Sequence, residues 1–93
     1  MGEHPQFKFR LFIAGESANS TRAIANLNAL CREHLKDCHQ IEIVDVLREP
    51  RKGLDTKVLL TPTLVIEAPL PIRRIVGNLS NPQPILEAIG LGI

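Results

Sequence analysis

The sequence is poor in aromatic residues, with three Phe and no Trp or Tyr among its 93 residues. Phe7, Phe9 and Phe12 all fall in one N-terminal stretch. Proteins that bind single-stranded nucleic acid stack the bases on aromatic side chains along a groove, and nothing aromatic follows Phe12 to supply them. The sequence therefore argues against this function, and it predicts a core of aliphatic side chains.

An excess of charge of one sign is also missing, since 11 Lys and Arg stand against 10 Asp and Glu. Binding to a nucleic-acid backbone needs a marked basic surplus, so no nucleic-acid partner is expected. Apolar runs such as residues 58–60 are too short to cross a bilayer, and the polar residues 1–6 do not resemble a signal peptide. We therefore expect a single domain over residues 1–93, located in the cytoplasm and without a membrane partner.

Cysteine is scarce as well, and two thiols are too few for a disulfide-stapled secreted domain. Cys31, His34 and Cys38 have the spacing i, i+3, i+7, which would place three possible zinc ligands on one helical face. No zinc-finger or zinc-ribbon spacing accompanies them, so a buried Cys31 with solvated His34 and His39 is the favoured interpretation. Glycine-rich phosphate loops are absent too. The sequence thus predicts neither a bound metal nor a cofactor.

The first half of the chain has the pattern of a strand, a helix and a second strand. Residues 7–14 (FKFRLFIA) are typical of a strand entering a buried sheet, and Gly15 ends it. A helix of about 17 residues follows, for which Asn19 or Ser20 supplies the N-cap. The β-branched stretch 41–47 (IEIVDVL) predicts a second strand. Such a unit has parallel strands and a right-handed crossover.

The second half alternates short elements with proline and glycine. The pattern predicts a short helical piece over 50–60 interrupted by Gly53, strands over 61–66 and 72–76, and a helix that begins at Asn81-Pro82 and is stopped by Gly90 and Gly92. The resulting order, βαβαββα, is the thioredoxin-like arrangement of the α/β class, with a four-stranded mixed sheet and helices on both faces.

The turn between the first strand and the long helix, residues 15–20 (GESANS), contains no cysteine. Thioredoxin-like oxidoreductases need a cysteine pair at this position, where the helix N-terminus lowers the thiol pKa, so dithiol chemistry is excluded. Ser17 or Ser20 would need a His partner to act as a nucleophile, and none is close in sequence, so a loop with a helix cap is the favoured interpretation. The sequence predicts a protein that is not an enzyme.

Basic side chains on the predicted surface remain as candidates for binding a partner. Arg22 lies at the start of the long helix, Lys57 follows the short helix, and Arg73-Arg74 interrupts an apolar strand. Neighbouring strand residues point to opposite faces, so one of the two arginines is expected to be the more exposed, unless the strand is an edge. Composition alone favours a solvated charge pattern over a binding surface.

Several ordered segments of the sequence resemble the KaiB family of circadian clock proteins. They are residues 11–15 (LFIAG), 20–23 (STRA), 43–47 (IVDVL), 61–64 (TPTL) and 71–80 (PIRRIVGNLS), of which the last is the most distinctive. The similarity covers nearly the whole chain, from Phe9 to Ile89. The resemblance implies a non-enzymatic, cytoplasmic regulator that binds a KaiC-type hexameric ATPase and modulates its phosphorylation and ATPase cycle.

The resemblance also implies binding residues and further partners. By the family pattern, the partner-binding residues are Arg22, Lys57, Arg73 and Arg74. The family implies KaiA or a sensor histidine kinase as a second partner, and a homo-oligomer that is a dimer or a tetramer. The alternative is a stand-alone thioredoxin-like stress or chaperone-like protein without redox activity, but the segment 73–80 favours the regulator.

The resemblance implies fold switching between two forms that share the N-terminal βαβ unit. One form is thioredoxin-like, and the alternative is a ground-state fold with the order βαββααβ, often tetrameric. The hinge residues that the family pattern implies are Pro62, Pro69, Pro71, Gly77 and Asn78. We expect the thioredoxin-like form to be well populated in the free protein, with a cis Thr61–Pro62 bond.

Local signals and departures from the family pattern bear on this expectation. After Arg48 the signals conflict, since residues 58–60 fit either a helix end or a strand. Asn78 stands where the family usually has Asp, and Asn tolerates the left-handed backbone angles of a turn. Pro82 after Asn81 presets a helix start. Glu42 is a carboxylate where a basic residue is common in the family.

Overall fold

In the computed structural model, which describes residues 6–36 and 38–91, seven elements follow one another in the order βαβαββα. They are β1 (Phe7–Ile13), α1 (Ala18–His34), β2 (His39–Asp45), α2 (Pro50–Asp55), β3 (Thr63–Ala68), β4 (Arg73–Val76) and α3 (Gln83–Ala88). This is the thioredoxin-like order that the sequence predicts. The last element is a helix, whereas the alternative order βαββααβ ends in a strand.

The four strands of the described residues form one mixed sheet in the spatial order β2-β1-β3-β4. β1 runs parallel to β2, with Phe9 opposite Ile41, and antiparallel to β3, with Phe9 opposite Ile66. β3 and β4 form an antiparallel pair, with Leu64 opposite Ile75. β2 and β4 are therefore the sheet edges, and the two arginines of β4 lie on an edge strand.

The larger part of the core lies between one face of the sheet and the helices α1 and α3. Alternate residues of β1 point to this face, and the helical period of α1 brings an apolar stripe against them. The buried side chains of this cluster are Phe9, Leu11, Ile13, Ala23, Leu27, Leu30, Cys31, Leu35, Leu64, Ile66, Leu79, Ile85 and Ile89. The cluster is mainly aliphatic, as the composition predicts.

A smaller apolar cluster lies on the opposite face of the sheet, on the side of α2. It consists of Phe12, Val44 and Val65, with Val46 and Val58 packed against them. α2 approaches the end of β2 closely at the buried Gly53, where an added Cβ would sit 3.0 Å from Val46 Cγ1. The two helices α1 and α2 therefore cover opposite faces of the sheet.

The N-cap of α1 and the start of β2 differ from the prediction. The N-cap is Ser17 rather than Asn19 or Ser20, because its extended backbone (φ −61°, ψ 157°) lets its hydroxyl accept a hydrogen bond from Ser20 N at 3.2 Å. β2 begins at His39, two residues before the predicted start, because its pairing with β1 already begins opposite Phe7.

The segment between α2 and β3 is longer than predicted. α2 ends at Asp55, and Lys57 adopts a left-handed backbone (φ +58°) that turns the chain out of the helix. β3 begins at Thr63 instead of residue 61, so residues 58–62 form a connection. The Thr61–Pro62 peptide bond is cis, as expected.

The turn after β4 does not use the tolerance of Asn78 for left-handed backbone angles. The left-handed backbone angles occur at Gly77 (φ +123°) and Leu79 (φ +63°), and Asn78 between them does not have a positive φ. The predicted helix stop at Gly90 has a φ of +84°, whereas Gly92 lies outside the described residues.

Candidate partner-binding surface

Lys57 and Arg74, two of the four basic candidates, lie side by side on the α2 face of the sheet. The guanidinium of Arg74 donates from Nη1 to the carbonyl oxygen of Lys57 at 3.0 Å and from Nη2 to the carbonyl oxygen of Thr56. The fold thus brings together two cations that are separated by 17 residues in the chain. Both hydrogen bonds hold the planar guanidinium in one orientation at the end of the short helix.

Arg73 lies on the other face of the same edge strand, because neighbouring strand residues alternate. Both arginines are exposed, so neither is clearly the more buried. This agrees with the alternative that the sequence left open, namely that β4 is an edge strand. Arg73 lines a shallow groove of about 280 Å³ together with Pro84 and Glu87 of α3. Arg74 lines the same groove, so the two arginines adjoin at the sheet edge although they start from opposite faces of β4.

Arg22 is exposed in the second turn of α1. Since α1 covers the face opposite to α2, Arg22 does not join the Lys57–Arg74 pair. The structure consequently places Lys57 and Arg74 together, Arg73 beside Arg74 on the same edge strand, and Arg22 apart from them on α1.

The charges of the four candidates are not neutralised by carboxylates of the described part of the chain. Ion pairs within 4.0 Å do form there at Arg10, Arg48 and Lys52. None of the ion pairs found among residues 6–36 and 38–91 involves Arg22, Lys57, Arg73 or Arg74. Their positive charges are therefore available to an acidic partner surface.

An exposed apolar surface adjoins the Lys57–Arg74 pair. Leu59 is 92% exposed, Leu60 63% and Val76 58%. Together with Lys57 and Arg74 these three side chains line a groove of about 240 Å³, and we call Leu59, Leu60 and Val76 the apolar shelf. Clustered exposed apolar side chains with a polar rim are typical of protein–protein contact sites.

Sequence reasoning missed the apolar shelf, although a signal was present. Residues 58–60 form an apolar run whose pattern fits a helix end or a strand. In the structure α2 has already ended and β3 has not yet begun, so Leu59 and Leu60 lie in a connection and point outward.

A network of charged side chains connects α2 to the sheet. Glu42 of β2 accepts a hydrogen bond from Arg10 Nε at 3.0 Å and another from Lys52 Nζ at 3.1 Å. Lys52 also lies 3.2 Å from Glu49 Oε2. The hydrogen bond from Lys52, with the positive charge of Arg10 beside it, lowers the pKa of the Glu42 carboxyl. The carboxylate that departs from the family pattern therefore has two cationic partners within this chain.

The loop that would carry redox cysteines is occupied by hydroxyl groups with structural roles. Ser20 is buried, and its Oγ accepts hydrogen bonds from Ala14 N at 3.2 Å and from Ser17 Oγ at 2.9 Å. Asp45 Oδ1 accepts hydrogen bonds from Gly15 N at 3.0 Å and from Leu47 N at 2.9 Å. Both serines serve the loop and the helix cap, which is the interpretation that the sequence favours.

The cysteines occupy different environments. Cys31 is fully buried in the core, and burial raises the pKa of its thiol to about 11, so it is protonated and unreactive at neutral pH. Cys38 is partly exposed just before β2. Within residues 6–36 and 38–91, no three side chains of the His, Cys, Asp or Glu types come close enough together to hold a metal ion.

The residues that the family pattern implies as hinges lie at the two ends of the β3–β4 hairpin. At one end, Gly77 N donates a hydrogen bond to the carbonyl oxygen of Pro62 at 2.9 Å, and Asn78 follows directly. Pro69 and Pro71 lie at the other end, in the turn between the strands.

No helix of the described ranges is long and apolar enough to span a membrane.

Comparison with protein families shows a match to the KaiB domain over residues 10–91. The chain is 43% identical over 84 residues to the circadian clock protein KaiB3 of a Synechocystis species, which covers 90% of this chain and 80% of that protein. It is 38% identical over 87 residues to the circadian clock oscillator protein KaiB of Thermosynechococcus vestitus, which covers 94% of this chain and 79% of that protein.

Solved structures with the same fold include a thioredoxin and a domain of the protein SasA. Mitochondrial thioredoxin 3 of Saccharomyces cerevisiae matches with a TM-score of 0.74 at 18% identity, over 95% of this chain and 80% of that one. The N-terminal domain of SasA from Synechococcus elongatus matches with a TM-score of 0.74 at 13% identity, over 95% of this chain and 84% of that one. At these identities the similarity shows the thioredoxin-like fold alone.

Proposed function

The chain belongs to the KaiB family, and from that membership we propose that it is a non-enzymatic regulator that binds a KaiC-type hexameric ATPase and modulates its phosphorylation and ATPase cycle. Its relatives carry the names of circadian clock proteins, so the chain is related to clock regulators. A further partner of the KaiA or sensor-kinase type and a homo-oligomer belong to the same proposal.

The observation that carries the proposal is the contiguous surface made by Lys57, Arg74 and the apolar shelf. The two cations have no carboxylate partner among the described residues, so they are ready to pair with acidic groups of the ATPase. Removing Leu59, Leu60 and Val76 from water would supply the favourable burial that an interface core needs. The charges would then govern the association rate and the orientation of the partner.

Fold switching is the second part of the proposal. The structure has the thioredoxin-like form, and the second form would keep β1, α1 and β2 and rebuild the chain after Arg48. In support, hydrophobic period, helix caps and residue propensity predict the same elements in the first half of the chain, whereas the local signals conflict in the second half. The hinge set Pro62, Pro69, Pro71, Gly77 and Asn78 falls within this second half, at the ends of its one hairpin in the described structure.

The test is the affinity of the chain for a KaiC-type hexameric ATPase, measured by titration calorimetry at low and at moderate salt. Lys57→Glu combined with Arg74→Glu should weaken binding about tenfold or more, since two ion pairs are replaced by repulsions. The double variant should also lose most of the salt dependence of the affinity.

Arg32→Glu is the matched control, because Arg32 is an exposed arginine of α1, on the face away from the pair. It should bind like the original chain. A folded double variant with unchanged affinity would refute the assignment of this surface. A chain that binds no KaiC-type ATPase at all would refute the proposed function and leave a stand-alone thioredoxin-like protein.

A further inference from the structure

We propose that Asn26 of α1 is a positioning residue for the turn after β4, and that its hydrogen bond to the backbone of Asn78 favours the thioredoxin-like form over the second fold. The part that concerns the second fold rests on the proposed fold switching. Asn26 lies in the half of the chain that both forms share, outside the hinge set that the family pattern implies.

The turn after β4 has a backbone that its sequence does not favour. Leu79 has a φ of +63°, a region that bulky side chains with a Cβ rarely occupy because the Cβ crowds the backbone carbonyl. Its side chain is nevertheless only 7% exposed and packs in the core cluster with Ile85 and Ile89. Such a conformation persists only where the surrounding structure enforces it.

Two side-chain hydrogen bonds fix this turn. Asn26 Nδ2 donates to the carbonyl oxygen of Asn78 at 2.8 Å, across 52 residues of sequence. The side chain of Asn78 in turn accepts a hydrogen bond from Ser80 N at 3.0 Å through Oδ1. The first bond fixes the orientation of the peptide group that precedes Leu79. It therefore also fixes the direction in which the chain leaves β4 and enters α3.

The position of the bond explains why it would act on the balance of folds. It joins a side chain of the constant half to a backbone group of the half that the second fold rebuilds. A contact that exists in one of two forms shifts their ratio by its full free energy, and forms of similar stability respond to single contacts. Losing one ordinary hydrogen bond corresponds to a factor of about 5 in such a ratio.

Two variants and a control separate this role from a general effect on α1. Asn26→Asp keeps the size of the side chain but replaces the donor with an acceptor, and Asn26→Ala removes the side chain beyond Cβ. Asn28→Ala is the matched control, because Asn28 is an exposed asparagine two residues further along the same helix.

The first measurement is amide hydrogen exchange and the HN–Hα coupling of residues 78–80 by NMR. In both Asn26 variants we expect exchange at Ser80, whose amide donates to Asn78 Oδ1, to accelerate about fivefold relative to the original chain, and a coupling at Leu79 that departs from its left-handed value. The Asn28 variant should match the original chain. Equal exchange and coupling in all variants would overturn the positioning role of Asn26.

The second measurement is the population of strand-type backbone shifts at residues 85–89 in the same samples. An increase of about fivefold in the Asn26 variants supports the effect on the balance of folds. Faster exchange at residues 78–80 without any strand-type population would overturn that effect and leave the positioning role.

Affinity for a KaiC-type ATPase separates these outcomes from the proposed function. If the thioredoxin-like form binds, the affinity of the Asn26 variants falls in proportion to the population of that form. An original chain that does not bind the ATPase would refute the proposed function, while the NMR results would still decide the role of Asn26.

Discussion

Asp45, the last residue of β2, joins the ends of two strands to the loop before α1. Its carboxylate accepts hydrogen bonds from Gly15 N at 3.0 Å and from Leu47 N at 2.9 Å. These backbone donors, Gly15 first, lower the pKa of Asp45 because they favour its charged form. A carboxylate and two serines thus occupy the loop in which redox proteins of this fold carry their reactive thiols.

We predict that Asp45→Asn reduces the dependence of stability on acid pH. Because the pKa is lower in the folded than in the unfolded state, this carboxylate stabilises the fold above its unfolded pKa of about 3.9. The stabilisation is lost as pH falls through the folded pKa. Urea unfolding between about pH 6 and about pH 3 should show a smaller decrease in the free energy of unfolding for the variant than for the original chain. Identical decreases would contradict the role of Asp45.

At the scale of elements, α2 is attached to the sheet by ion pairs as well as by close packing at Gly53. The helix has six residues and one buried position, Gly53. Lys52 reaches from it to Glu42 of β2, which Arg10 of β1 also contacts. Since Lys57 and Arg74 lie at the end of α2, this network also helps to position the proposed binding surface.

We predict that Glu42→Lys destabilises the thioredoxin-like form by about 1 kcal/mol at low salt. The variant replaces two ion pairs with repulsions, each pair being worth about 0.2–1 kcal/mol because the side chains are partly exposed. The loss should shrink as salt screens the charges. Denaturant midpoints at low and high salt provide the measurement. Glu33→Lys, at an exposed glutamate in the last turn of α1, is the control, and an equal loss in both variants would disprove a specific role for Glu42.

At the scale of the whole molecule, the described structure is one member of a proposed pair of folds. A mixed sheet with α1 and α3 on one face buries Leu79, Ile85 and Ile89. In the second fold these residues would need other partners, because the last element would be a strand. The order of the elements after Arg48 is therefore the feature that distinguishes the two forms.

We predict that the free protein in solution has helical backbone shifts over residues 83–88 and strand shifts over 73–76. The physical reason is that the helix start at Asn81 and Pro82 is preset, and that Ile85 of α3 and Ile89 at its C-cap complete the larger core cluster. NMR assignment of the free chain, combined with its size by light scattering, checks this prediction. Strand shifts throughout residues 85–89 in a tetramer would show that the second fold dominates.

The sequence predicted which residues belong to the candidate site, but it did not predict how they are arranged in space. The family pattern implied the four basic candidates, and it also implied the hinge set. The basic candidates are Arg22, Lys57, Arg73 and Arg74. Their arrangement depends on strand alternation at a sheet edge and on where α2 ends. The apolar shelf was missed because an apolar run of three residues fits a helix end, a strand or an exposed connection equally well.

The order βαβαββα, with βαββααβ as its alternative, the aliphatic core and the absence of a cysteine pair at the first turn were all predicted from the sequence. These follow from local properties, namely apolar periodicity, glycine and proline positions, and residue identity. The three-dimensional structure was needed to show that Ser17 caps α1, that Arg74 donates to the carbonyl oxygen of Lys57, and that Asn26 donates to that of Asn78. Each of the last two contacts joins residues far apart in the chain, and such pairs meet only after strand register and helix packing are set by burial of the core.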